Sequence, residues 1–475
     1  MVHSIEESKR WLALIILCLG ELMIVLDTTI VNVALPSIRS DLAFTESALV
    51  WVVNAYMLTF GGFLLLGGRL GDLFGQRKLF LFGIILFTGA SLACGIANSQ
   101  AMLIIARGIQ GLGGAVVSAV ALSLIMSLFT ESGERAKAMG IYGFVCAGGG
   151  SVGVLLGGVL TSMLSWHWIF LVNLPIGIAV YGVCLRILPP GEPQTDVRHM
   201  DIGGALTITA SLMLTVYAIV NGHAAGWLSP MTGSLLGASL LLLIAFLVIE
   251  SRVHRPLVPL RFFRLRNVSI ANVIAALWAA AMFAWFFISA LYMQLVLGYD
   301  AMQVGLAFLP SNLIMAILSL GLSARIVMRF GIRPPLMGGL MLGAIGLGLF
   351  AFAPLHGHFM QHVLPGMLLL GLGAGIAFNP LLLAAMSDVS QQESGLASGI
   401  VNTAFMMGGA LGLAILASAA VVRTDYLMTQ GTTAMVALNS GYQAAFALGG
   451  LAAGIAALLG FCLNLKAAPV DNALH

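Results

Sequence analysis

Charge is scarce in this chain: Asp, Glu, Lys and Arg make up 8% of 475 residues, where a soluble domain carries about a quarter. That scarcity excludes a water-soluble globular protein. Cysteine is sparse too. Cys18, Cys94, Cys146, Cys184 and Cys462 all fall inside apolar runs without CxxC spacing, so they read as small core residues rather than disulfides or metal ligands. His356, His358 and His362 cluster with no carboxylate beside them and read as a solvated loop. No P-loop, catalytic triad or nucleotide-binding domain occurs. The expectation is therefore a protein that is not an enzyme, uses neither ATP nor a metal, and binds no nucleic acid.

What the chain has is apolar sequence: 60% hydrophobic residues and 57 glycines, with a mean hydropathy of +1.04. In a bilayer each crossing must satisfy its own backbone hydrogen bonds, so runs of about 20 apolar residues become helices. Apolar runs ended by charge, Pro or Gly predict fourteen spans, numbered 1 to 14 in order. Their expected limits are 11–36, 48–68, 79–97, 101–124, 136–160, 166–188, 202–221, 232–249, 268–297, 303–324, 335–353, 361–386, 395–421 and 441–464. The first run is too long for a signal h-region, so Trp11 to Pro36 is read as a retained span. With the N-terminus inside, every Lys and Arg falls in an inner loop or terminus except Arg39, Arg423 and Arg107, the last within span 4. That asymmetry fits an even number of spans with both termini cytoplasmic.

The chain also repeats itself. At a shift of 259 residues, Glu134, Ala138, Gly140, Gly149, Gly150 and Gly153 recur as Glu393, Ala397, Gly399, Gly408, Gly409 and Gly412. At a shift of 256, Gly75-Gln76-Arg77 recurs as Gly331-Ile332-Arg333. Spans 1–6 and 9–14 are thus expected to be parallel copies of one six-helix unit. The expected domains are 1–190, the N-terminal half; 191–267, inserted spans 7 and 8 with a basic cytoplasmic linker; and 268–475, the C-terminal half. Two such halves rocking about a midplane site give alternating access.

Four motifs carry a family resemblance. Gly68 to Lys78 resembles the loop between spans 2 and 3 of the major facilitator superfamily, roughly G-x-L-x-D-R-x-G-R-[RK], at Gly68, Leu70, Asp72, Gly75, Arg77 and Lys78. Leu73 departs, standing where the family usually has arginine. Asp27 to Pro36 resembles the first-span signature of the fourteen-span drug–proton antiporters. Arg107, Gln110, Gly111, Gly113 and Ala115 match the superfamily's span-4 pattern R-x-x-Q-G-x-G-x-A. Gly149 to Gly158 in span 5 resembles the antiporter signature G-x-x-x-G-P-x-x-G-G, with Val154 in place of the proline and its bend.

The resemblance implies an all-α polytopic membrane protein with the major facilitator fold: two six-helix halves plus two inserted helices. It also implies a proton-coupled antiporter that exports lipophilic or cationic drugs from the cytoplasmic (inner) membrane. The proton gradient then replaces any cofactor, and the partners are small substrates, protons and lipid; a monomer fits, with the oligomeric state left open. One rival is a dedicated exporter of a single endogenous metabolite or lipid with the same fold. Another is a non-transporting sensor or assembly factor, against which the charges buried in hydrocarbon count.

Those charges are Glu21 and Asp27 in span 1 and Arg107 in span 4. At 1.5 Å per residue, Arg107 lies about 9 Å and Asp27 about 13 Å below the outer ends of their helices. These depths allow them to meet. Asp27 is then either the proton carrier or an ionised structural partner of Arg107. Glu21, about 9 Å from Asp27 along the helix, is a second carrier, a counter-ion for a cationic substrate, or an inert hydrogen-bonded group. Asp72, between Arg69 and Arg77, would form an inner latch stabilising one conformational state. Substrate contacts are expected from Asn32, Asn54, Tyr56, Trp285, Tyr292, Gln294, Asn379, Asn402, Phe405 and Met406, because aromatics, Met and buried amides make a pliable apolar pocket.

Overall fold

The computed structural model describes residues 7–129, 131–188, 201–253, 256–389 and 393–464, and every regular element among them is a helix. Spans 1–5 are Glu7–Asp41, Glu46–Phe74, Gln76–Gly95, Gln100–Leu128 and Ser132–Met163. Span 6 is a short turn, Trp168–Leu171, followed by Asn173–Ile187. The inserted spans 7 and 8 are Ile202–Ala225 and Pro230–Arg252. Span 9 is Arg266–Leu291, prolonged by a π-turn at Tyr292–Val296. Spans 10 and 11 begin as Ala301–Ile317 and Arg333–Ala351. Spans 12, 13 and 14 are Leu364–Met386, Ser394–Thr429 and Ala434–Leu459. Thirteen of these are long and apolar enough to cross a bilayer, and span 10 is the shorter fourteenth.

Local chemistry starts several of them. Thr45, Ser99 and Ser229 accept a backbone N–H three residues on, as N-caps do. Asp300 and Gln303 form a reciprocal capping box at the head of span 10. Other limits differ from the sequence reading. Span 1 runs past Pro36 to Asp41, because one missing N–H removes a single hydrogen bond while Ile38 beyond it is still buried. Span 10 is not straight. After Ile317 it passes through a π-turn, Leu318–Leu322, breaks its axis at Gly321 (φ 116°), and continues as a short helix, Ser323–Phe330. Only glycine adopts that φ without strain. Span 5 runs unbroken through Val154, which keeps the backbone N–H that a proline would lack. Cys462 departs from its expected core place: it is exposed at the end of span 14.

The sequence repeat has a packing cause. Span 5 lies against span 1, and span 13 against span 9. At Gly153 a methyl group would stand 2.1 Å from Thr29 Oγ1, and at its mate Gly412 a methyl would stand 2.0 Å from Ala280 Cβ. Gly153 and Gly412 are therefore equivalent points of close helix approach, one in each half. The repeated glutamates match as well. Glu134 pairs with Arg10 in the first turn of span 1 at 3.0 Å, and Glu393 pairs with Arg261 just ahead of span 9.

Spans 5 and 10, and spans 2 and 13, pack across the seam between the repeats. Span 7 lies along that seam against spans 2 and 13, and span 8 packs chiefly on span 7. Between them Ser211 and Ser239 exchange hydroxyl-to-carbonyl hydrogen bonds of 2.8 and 2.9 Å. Among the described residues, the polar contacts between the repeats lie toward the end of the bundle away from the termini, here the distal end. There the Gln294 amide donates to the Val33 carbonyl at 2.9 Å and the Met302 N–H to Ser162 Oγ at 3.0 Å. Asn54 donates to the Ala410 carbonyl at 3.0 Å somewhat deeper. The seam is therefore closed at its distal end.

Candidate proton-coupling site

Asp27 and Arg107 meet inside the N-terminal half and are 0% and 1% exposed as side chains. Arg107 Nη1 hydrogen-bonds Asp27 Oδ2. The other carboxylate oxygen accepts from Gln110 Nε2 at 2.7 Å and from Asn173 Nδ2 at 3.1 Å. Ser91 Oγ accepts from the same Gln110 amide at 2.8 Å. Arg107 Nε donates to the Val52 carbonyl at 2.9 Å, and Nη1 also to Gln110 Oε1 at 2.7 Å. Arg107 and Gln110 share a helix face because they are one turn apart. The guanidinium carbon lies 4.4 Å from the Tyr56 ring centroid and 5.6 Å from that of Phe170, a desolvated cation–π setting. Spans 1, 2, 3, 4 and 6 all contribute, so the cluster ties the half together around one ion pair. Breaking such a pair leaves an uncompensated charge, typically at ~3–5 kcal/mol.

Glu21 is placed apart from this cluster. Ser118 Oγ lies 2.7 Å from both carboxylate oxygens, and Tyr142 hydrogen-bonds it too. Among the described residues Glu21 has no ion-pair partner. It is a buried carboxyl held by hydroxyl groups from spans 4 and 5, able to take or give a proton without breaking a salt bridge.

Several of the residues expected to contact substrate have partners within the protein. Tyr56 lies under Arg107. Asn54 and Gln294 bridge the two repeats. Trp285 is 1% exposed, packed on Phe286 and Phe308. Tyr292 donates to the Pro354 carbonyl at 2.8 Å, and Asn32 bonds the carbonyls of Thr28 and Thr29 in its own helix. Asn379, Asn402, Phe405 and Met406 are half-buried. Phe405 forms an aromatic wall with Phe283 and Phe378, at ring distances of 5.8 and 6.0 Å.

The side chains of Arg69 and Asp72, two members of the expected latch, lie outside the described residues. Arg77, the third, donates to the Leu185 carbonyl at 2.5 Å, near the end of span 6. Its repeat mate Arg333 does the same in the other half, donating to the Gly460 carbonyl at 3.1 Å and to the Phe461 carbonyl after span 14. Both arginines satisfy the orphan carbonyls at a helix C-terminus. Sequence reasoning missed Ser91, Asn173, Ser118 and Tyr142; the one available signal was a lone polar group within an apolar run.

Two repeated six-helix halves with a sealed ionic cluster in one of them define a polytopic membrane transporter. The family model for the Major Facilitator Superfamily matches residues 17–413, and the chain belongs to that superfamily. It is 37% identical over 447 residues to a puromycin resistance protein of Streptomyces alboniger, covering 93% of this chain and 88% of that one. It is 39% identical over 415 residues to a cephamycin export protein of Amycolatopsis lactamdurans, covering 86% and 85%. A multidrug resistance protein, Stp, of Mycobacterium tuberculosis is 35% identical over 407 residues, covering 86% and 75%. Among solved structures, a bacterial homolog of the human lysosomal transporter Spinster superposes with a TM-score of 0.69 at 14% identity, covering 96% and 97%. The nucleoside transporter NupG does so at 0.65 and 11%, covering 95% and 100%. At those identities the structural likeness concerns the fold.

Proposed function

We propose that this chain is a proton-coupled antiporter of the cytoplasmic membrane that exports lipophilic or cationic small molecules by alternating access. The observation that supports it best is the buried Asp27–Arg107 pair. Charges in hydrocarbon cost about 2.5–3.5 kcal/mol each on insertion scales, and a scaffold has no use for them. The names of the relatives, for antibiotic resistance and export, point the same way.

The geometry offers a coupling route. When Asp27 takes a proton, Arg107 loses its counter-charge but keeps the Val52 carbonyl and Gln110 Oε1. The hold on span 1 weakens, and span 1 also carries Val33, whose carbonyl is tied to Gln294 in the other half. That tie lies about 9 Å further along the same helix. Protonation at Asp27 thus biases the distal seam. With both termini in the cytoplasm, the distal end faces outward and the closed seam belongs to an inward-facing state. The moving bodies are residues 1–190 and 268–475, with 191–267 riding between them. Glu21 serves as second carrier or as counter-ion for a cationic substrate resting on the Phe283, Phe378 and Phe405 wall.

A second reading, a dedicated exporter of one compound, is favoured by the single-antibiotic names of two relatives. A transport panel in proteoliposomes separates the two. Gradient-driven uptake of several unrelated lipophilic cations supports the multidrug reading, and uptake of one compound alone supports the dedicated exporter.

A further inference from the structure

The short helix Ser323–Phe330 ends span 10 at the terminus-bearing face, and nothing in the transport cycle above uses it. It follows the break at Gly321 and is about 12 Å long. Ser323 anchors it inward, its hydroxyl on the Ile376 carbonyl of span 12 at 3.3 Å. Arg325 and Arg329, one turn apart, are exposed. Met328 and Phe330 stand out beside them, 79% and 58% exposed. Neither arginine meets a carboxylate among the described residues, and the sequence holds no Asp or Glu between Asp300 and Asp388. Arg333, the next cation, is already engaged by carbonyls.

Two requirements meet on this surface: a counter-charge for the arginines and an apolar medium for Met328 and Phe330. Headgroup phosphates lying above acyl chains satisfy both at once. We infer that Ser323–Phe330 is an interfacial helix whose Arg325 and Arg329 bind anionic phospholipid in the leaflet on the terminus-bearing side, with Met328 and Phe330 in the acyl region. The helix is joined to span 10, which packs on span 5 across the seam. Anionic lipid bound there therefore braces the arrangement of the two halves.

The test is native mass spectrometry of protein extracted from equal parts phosphatidylglycerol and phosphatidylcholine. Wild type is compared with Arg325→Gln/Arg329→Gln, scoring the first bound lipid. Each arginine near a charged lipid surface is worth about fivefold in affinity, so the double variant is expected to lose the phosphatidylglycerol preference by about 25-fold. Arg325→Lys/Arg329→Lys is expected to keep most of it. Titration of wild type to about 0.5 M salt tests the same claim without a variant, since screening at that strength weakens the contact. Equal preference in wild type and the glutamine variant, or no preference in wild type at low salt, overturns the assignment. The second result would leave the helix to an acidic protein partner.

Discussion

Gly153 and Gly412 occupy equivalent places in the two repeats, yet a methyl group should be tolerated differently at each. A Cβ at Gly153 would stand 2.1 Å from Thr29 Oγ1 and 3.1 Å from the Leu26 carbonyl oxygen. The nearest obstacle is a hydroxyl, which can rotate away by giving up its contacts to the Val25 and Leu26 carbonyls. At Gly412 the Cβ would stand 2.0 Å from Ala280 Cβ and 2.3 Å from Ala280 Cα. That obstacle is helix backbone, so spans 9 and 13 must move apart. Overpacking costs about 1–3 kcal/mol, and alanine's better helix propensity offsets up to ~1 kcal/mol. Gly153→Ala is expected to lose about 1 kcal/mol net and Gly412→Ala about 2 kcal/mol or more. Thermal unfolding in detergent, followed by fluorescence-detected size exclusion, should rank wild type above Gly153→Ala and Gly412→Ala last. Ala280→Gly removes the Cβ obstacle but leaves the Cα, so it should rescue Gly412→Ala only in part. Equal stability of the two variants, or complete rescue by Ala280→Gly, would refute the reasoning that backbone contact sets the spacing of spans 9 and 13.

Arg107→Ala leaves Asp27 buried without its cation and should cost about 3–5 kcal/mol, read as a sharp drop in monodisperse protein. Asp27→Asn combined with Arg107→Gln should recover folding without recovering transport. Gln294→Ala removes a distal tie between the halves. Spin labels at the distal ends of spans 1 and 9 should then show a larger long-distance population, and an unchanged distribution would count against that tie. Arg77→Met and Arg333→Met should each cost about 1.5–3 kcal/mol, the worth of a hydrogen bond from a charged donor, with similar losses in unfolding temperature because their roles are equivalent.

The spans were legible because each crossing must be apolar and about 20 residues long, a signal that glycine and lone polar residues do not erase. The break in span 10 was not, since Gly321 is one of 57 glycines and sequence does not mark which one takes φ 116°. Asp27 and Arg107 could be matched by depth, because helix rise converts residue number into ångströms. Their remaining partners could not. Ser91 and Asn173 are single polar residues whose direction depends on how spans 3 and 6 rotate about their axes. The same uncertainty of rotation hid the partners of Tyr56, Asn54 and Trp285, which lie under Arg107, on the Ala410 carbonyl and in the aromatic core. Arg77 shows a different limit. Its neighbour in sequence is Asp72, but its hydrogen bond crosses to span 6, a contact that only the repeat mate Arg333 could have hinted at.

The measurement that bears most directly on the central claim is substrate-induced proton release in proteoliposomes, wild type beside Asp27→Asn, with ethidium and an imposed proton gradient. Wild type is expected to release protons on binding and to move ethidium against its gradient. Asp27→Asn mimics the protonated carboxyl and leaves Arg107 on the Val52 carbonyl and Gln110 Oε1; it is expected to bind ethidium but to do neither. Proton release and gradient-driven transport that survive the substitution would contradict the account and place the coupling proton elsewhere, with Glu21 the next group to substitute.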